Sequence, residues 1–245
     1  MDHQIEETLH AALAGFAAGK YIDLEHAYQT DFTLDKAHAQ MFNELKEIFK
    51  LDMPFLTKVE ALDRYIDDKS QIEPINELLF DLLLINFFTI DALKLEEDYL
   101  ESKEWEDIED QTIDRGTEVL NVLLYIKECK EEQIAPDLSD YLKEFLLVEE
   151  DEFQDEYHIY EDIIANQNLI DSSMGELAKI ADKIAPDSEM KDLFYPIMAF
   201  FSDMEMQEET LVSYLKLSQN KPFDGAVLFT ILAYQNGISH LPLLY

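Results

Sequence analysis

The chain has 245 residues, enough for one large domain or two small ones with a real core, and 47% of them are apolar, which excludes a disordered chain. It carries 54 acids against 18 bases, a formal net charge of −36, which excludes direct binding to nucleic acid or an anionic membrane and favours basic partners, polyamines or divalent cations. One cysteine, Cys129, rules out an internal disulfide and fits a reducing compartment, so a soluble, cytoplasmic protein is expected.

Six glycines, seven prolines and apolar residues recurring at three and four predict an all-α protein. It reads as a multi-helix bundle or short helical-hairpin array of about nine to ten helices. The first runs from about Asp2 to Ala18, with Ile5, Leu9, Leu13 and Phe16 inward, and Gly19 placed to end it as a C-cap. The first twenty residues start acidic and do not read as a secretory signal. The second starts near Thr33, an N-cap candidate, and turns Leu34, Met41, Leu45 and Ile48 inward. Pro54 sits in the first turn of a third, and Pro74 opens a fourth that continues to about Ser102.

Within the fourth, Leu78 to Ile90 is apolar nearly all round, which predicts a central buried helix; it is too short to span a bilayer. Glu77, Asp81, Asp91 and Asp98 share one side of it, and Asn86, on the other, needs an internal hydrogen-bond partner. Gly116 and Thr117 then mark a stop and a restart between two helices. After Pro136 comes a helix from about Asp137 to Asn166, roughly 45 Å long if unbroken at 1.5 Å per residue. Gly175, Pro186, Pro196 and Pro222 punctuate three or four shorter helices.

Charge is uneven along the chain. Residues 91–162 hold 26 acids and six bases, a net of −20, whereas residues 163–245 are comparatively neutral and rich in methionine. That shift places a boundary near residue 170, with an acidic helical bundle over 1–170 and a smaller subdomain over 171–245 packed on it. A weak internal echo, Ile134–Asp137 against Ile184–Asp187, leaves a helical-hairpin duplication open. The group Phe194, Tyr195, Met198, Phe200 and Phe201 reads as core, and its run of Met198 to Phe201 is the best candidate for a homodimer contact.

The most acidic stretch, Glu149 to Asp162, has eight carboxylates and no Lys or Arg. On a helical wheel Leu142, Leu146, Phe153, Tyr157, Tyr160 and Ile164 form one stripe, and Asp151, Asp155 and Asp162 project away from it. Three uses fit: a solvated face, a metal site, or an anionic surface for a basic protein. Glu149 and Glu150 flank the apolar stripe, where an acid needs a cation, a donor network or a raised pKa, so they are metal candidates together with His38. Glu150, Asp151, Asp155, Glu156 and Asp162 are the partner-binding candidates.

A di-metal bundle wants Glu-x-x-His on two helices, and the one literal match, Glu7 with His10, points away from its own apolar stripe. His38 lies on an apolar face and reads first as a core histidine. No phosphate-binding glycine loop, nucleophile elbow or zinc spacing occurs, and no catalytic residue or cofactor is predicted. The expected function is therefore non-enzymatic: an acidic helical face over 91–162 that engages a basic protein, as an inhibitor, immunity-type protein or adaptor does. The alternative is a carboxylate-bound metal-dependent enzyme, either a di-metal bundle or an all-α nucleotide hydrolase.

Overall fold

The computed structural model describes residues 1–23, 36–92, 99–112, 114–146 and 152–241. The protein is all-α. Twelve α-helices and no strand occur among the described residues, two more helices than the upper end of the expected count. No helix among them is long and apolar enough to cross a membrane.

The first helix, α1 (His3–Tyr21), starts where Asp2 Oδ1 accepts from the backbone N–H of Gln4 at 2.8 Å. Thr33 and Leu34, expected at the start of the second, lie outside the described residues; α2 (Lys36–Lys50) buries Met41, Leu45 and Phe49, with Ile48 half-buried. Pro54 precedes α3 (Phe55–Asp68) as its N-cap residue. A 3₁₀ turn leads into α4 (Asn76–Asn86), in which every residue from Leu78 onward is buried, as its all-round apolarity requires. Asn86 finds its partner inside, accepting from the Asp2 N–H at 3.2 Å.

A π-helical turn, Phe87–Asp91, continues α4. The break at Gly116 and Thr117 separates α5 (Lys103–Thr112) from α6 (Glu118–Glu132). Left-handed Gln133 (φ 60°) then ends α6.

The expected helix over 137–166 is two helices, α7 (Leu138–Leu146) and α8 (Glu152–Ala165). Tyr141 and Tyr160 show that they fold back on each other. Their hydroxyls are 3.1 Å apart, whereas 19 residues of unbroken helix would separate them by about 28 Å. The rings of Tyr125 and Phe201 pack on Tyr141 from α6 and from farther along the chain, so aromatic packing selects the hairpin over the rod.

Beyond residue 171 come α9 (Met174–Ala181), α10 (Phe194–Ser202), α11 (Glu208–Leu217) and α12 (Lys221–Asn236). A capping box of Ser173 and Glu176 starts α9. In α10, Met198, Ala199 and Phe200 are fully buried and Phe201 nearly so; the run considered for a dimer contact is used by the chain's own core. One continuous cluster of buried side chains runs from Ile5 to Leu241, across residue 170.

Its centre is an antiparallel pair, α1 against α12, with α12 also touching α6, α10 and α11, and α4 beside α1, α3 and α6. Gly19 is not a C-cap. It lies inside α1, buried against the Lys221 carbonyl, and one turn earlier Gly15 meets Gly225 backbone to backbone. Small residues in AALAGFAAG let the two backbones approach, and that closeness buries α1 nearly all round rather than along one stripe.

Arg115 fastens the loop after α5 to this frame. Its guanidinium lies 4.1 Å from the Phe80 ring and donates to Asp63 at 3.0 Å, Glu77 at 3.1 Å and Asn76 at 3.1 Å. Arg115→Ala is expected to lower stability by about 2 kcal/mol, from lost stacking and charge-assisted bonds. Arg115→Lys should recover less than half, because an ammonium cannot stack or fork in that way. Urea midpoints of the two variants check both statements.

Candidate functional site

The acidic segment presents its clearest face on α5. Ile108 is buried and Trp105 stacks on Phe87 at 6.4 Å, with Phe88 at 5.3 Å, so these two side chains hold the helix down. Glu106, Glu109 and Asp110 recur at three and four on the side facing away, and all three are exposed. Glu101 before the helix and Asp114 after it are exposed too. None of these five carboxylates forms an ion pair with a described residue. Of the nearby cations, Arg115 is engaged as above, Lys127 with Glu131 and Lys143 with Asp140, while Lys103, at the start of α5, is exposed and forms no ion pair among the described residues.

Of the residues picked from the most acidic stretch, Glu149, Glu150 and Asp151 lie outside the described residues. Asp155 and Glu156 fall in α8, but their side chains lie outside the described ones. Asp162 is half-buried and accepts from Ser188 Oγ at 2.6 Å, which ties the end of α8 to the segment before α10. His38 is 3% exposed, with the rings of Phe16 and Tyr21 each 6.3 Å away, the surroundings of a core histidine. His10 is half-buried edge-on against Phe42, and its burial pushes the imidazole pKa down. Among the described residues, no three His, Cys, Asp or Glu side chains converge closely enough to hold one metal ion.

Two carboxylates that charge counting does not single out are buried. Asp81 of α4 is 2% exposed; its Oδ2 accepts from the Leu120 N–H at 3.1 Å, so it caps the first turn of α6 from a neighbouring helix. Its Oδ1 has no hydrogen-bond partner among the described residues. Burial drives its pKa well above the ordinary carboxylate range; Glu118 and Glu77 add to this, while the Leu120 N–H and Arg115 oppose it. Glu118, half-buried at the start of α6, is also raised by burial, with Glu189 and Glu77 contributing.

The second is Asp224, in the first turn of α12. It is 5% exposed and accepts from Ser218 Oγ at 2.6 Å. Burial pushes its pKa up to about 7, against the Ser218 bond and with help from Asp192. It lines a cleft of about 70 Å³ between α9, the segment before α10 and the turn from α11 to α12, together with Asp182, Asp192 and Tyr195. A larger cleft of about 270 Å³ near the end of α12 is lined by Met204, Met206, Asn236 and His240.

The sequence carries one signal for both buried acids: an isolated Asp inside an apolar helical run, LLFDLLL at 78–84 and PFDGAVLF at 222–229. Comparison with protein-family models, with curated proteins and with solved structures finds no match to this chain.

Proposed function

We propose that the protein is a non-enzymatic binding protein that presents the acidic segment 91–162 to a basic protein partner, as an inhibitor, immunity-type protein or adaptor does. The supporting observation is the uncompensated charge of α5 and its flanks: five exposed carboxylates with no cation of the chain paired to them among the described residues. A surface of this kind attracts a basic partner quickly and in a salt-sensitive way, and it repels nucleic acid. The single cysteine, Cys129, is buried and forms no disulfide, which suits a reducing compartment such as the cytoplasm.

The quadruple variant Glu106→Gln, Glu109→Gln, Asp110→Asn, Asp114→Asn tests this. Used as bait beside the native protein, it should fail to retain a basic polypeptide that the native protein holds at low salt and releases at high salt. Its melting temperature should stay unchanged or rise, since like charges on a helix repel by about 0.2–0.5 kcal/mol per pair. Equal capture by both baits would count against the proposal.

Melting with Mg²⁺, Mn²⁺, Zn²⁺ and Fe²⁺ against sodium chloride of matched ionic strength separates this role from a metal-dependent enzyme. The expected result is a rise that follows ionic strength alone, through screening of the net charge of −36. A saturable, metal-selective rise would favour the enzyme, since binding to the native state stabilises by mass action.

A further inference from the structure

We propose that the start of α5 is an apolar anchor point, and that an amphipathic helix of a basic protein docks there, its apolar residues on Leu51, Met53 and Leu100 and its Lys or Arg residues along α5. This rests on the proposed role of the acidic segment and adds the form of the partner. Five large apolar side chains are exposed among the described residues, and these three are among them; Met53 is 48% exposed and Leu100 60%. Single exposed apolar residues are ordinary, but a group of them rimmed by charge marks a contact surface.

Two observations bring the segments together. The Phe55 N–H, two residues after Met53, donates to Glu104 Oε1 at 3.5 Å. Beneath that contact the Phe87 ring lies 5.2 Å from Phe55 and 6.4 Å from Trp105. Residues 51–54, exposed throughout, therefore abut the first turn of α5, and Leu100 stands four residues before Glu104.

Charge selects the occupant. Asp52 and Glu101 are exposed within the apolar group, and Glu106, Glu109 and Asp110 continue from it along α5. The one cation on α5 is Lys103, and Lys50, at the end of α2, pairs with Glu6 at 3.5 Å. Such a surface attracts Lys and Arg, whereas a second copy of a chain of net charge −36 is repelled. The fold selects the partner's backbone. No strand occurs among the described residues, so they offer no sheet edge to an extended peptide, and an apolar spot beside an exposed charged helix suits a helix. With ten residues, α5 is about 15 Å long, enough to lie along two to three turns of it. The apolar anchors slow release, and the acids speed encounter.

Trp105 is the only tryptophan of the chain and lies half-buried at the site, so its fluorescence in the full-length protein reports occupancy. The probes are two lysine-rich helical peptides of about 15 residues without aromatic side chains, one with leucines spaced at three and four, the other with alanines in their place. We expect the leucine peptide to bind about tenfold or more tightly than the alanine peptide at low salt. Met53→Ser with Leu100→Ser should erase that difference and leave the alanine peptide's binding unchanged. Both residues are exposed, so the melting temperature should hold; if the pair unfolds the protein, Leu100→Ala alone replaces it. Equal binding of the two peptides would overturn the inference and leave the acidic-face reading standing, whereas binding of neither would remove both. Self-association of the native protein that the double variant loses would give the anchor point to a second copy and overturn the inference as well.

Discussion

Gly225→Val is expected to destabilise the protein by about 3 kcal/mol or more, because it forces two helix backbones apart rather than displacing a side chain. A Cβ at Gly225 would lie 2.4 Å from the carbonyl oxygen of Gly15 and 3.0 Å from Leu215 Cδ2. The mirror change, Gly15→Ala, would put its Cβ 2.1 Å from the Gly225 oxygen, so it should fail similarly. The α1–α12 pair sits at the centre of the core, and a shift there disturbs α4, α6 and α10 as well. Gly175→Ala is the control. Its Cβ meets nothing nearer than Ser173 Oγ at 4.0 Å, and an alanine in α9 should stabilise by about 0.5–1 kcal/mol. Urea midpoints compared at equal slope decide the matter. A Gly225 variant within about 1 kcal/mol of the native protein would mean that α1 and α12 do not meet backbone to backbone.

The second large effect belongs to Asp81. Its native pKa lies well above the ordinary value, chiefly through burial, while in the unfolded chain it titrates near about 4. The native state therefore binds the proton more tightly. The stability held by the neutral acid is fully present below the unfolded pKa, and it is lost as pH rises through the native one. Asp81→Asn removes the ionisation and keeps an oxygen to accept from the Leu120 N–H.

The variant should match the native protein at pH 4 and exceed it at pH 8, with the gap opening steadily between. Asp224, raised to about 7, adds a loss of the same sign that Asp81→Asn leaves in place. The double variant with Asp224→Asn should therefore show the flattest profile. Urea unfolding across that pH range measures this, and parallel curves for Asp81→Asn and the native protein would show that Asp81 is not buried as a neutral acid.

Both predictions concern residues that local pattern either misplaces or passes over. Gly19, one turn from Gly15 on the same seam, looks like a C-cap because it closes an apolar period, and Asp81 shares one side of its helix with the exposed Glu77. The acidic segment itself is plain from charge counting, and so is the outward face of α5, since Ile108 and Trp105 are the only large apolar residues on that helix. Which acids are wet and which are buried is not plain, because it depends on what packs across from each.

The sequence alone settles what is local. Periods of three and four make the chain all-α, Pro54 and the pair Gly116–Thr117 set helix boundaries where they are found, and the run from Leu78 onward is buried because no face of it is polar enough for water. It also requires that Asn86 be satisfied inside, as it is. Tertiary structure alone decides that α7 and α8 fold into a hairpin, since Tyr141 and Tyr160 gain partners there that a straight rod denies them. It alone turns Gly15, Gly19 and Gly225 into contact points, and it buries Asp81 and Asp224. Hydrophobic period is a property of one helix, whereas close approach and desolvation are properties of two helices meeting, and no single segment records its partner.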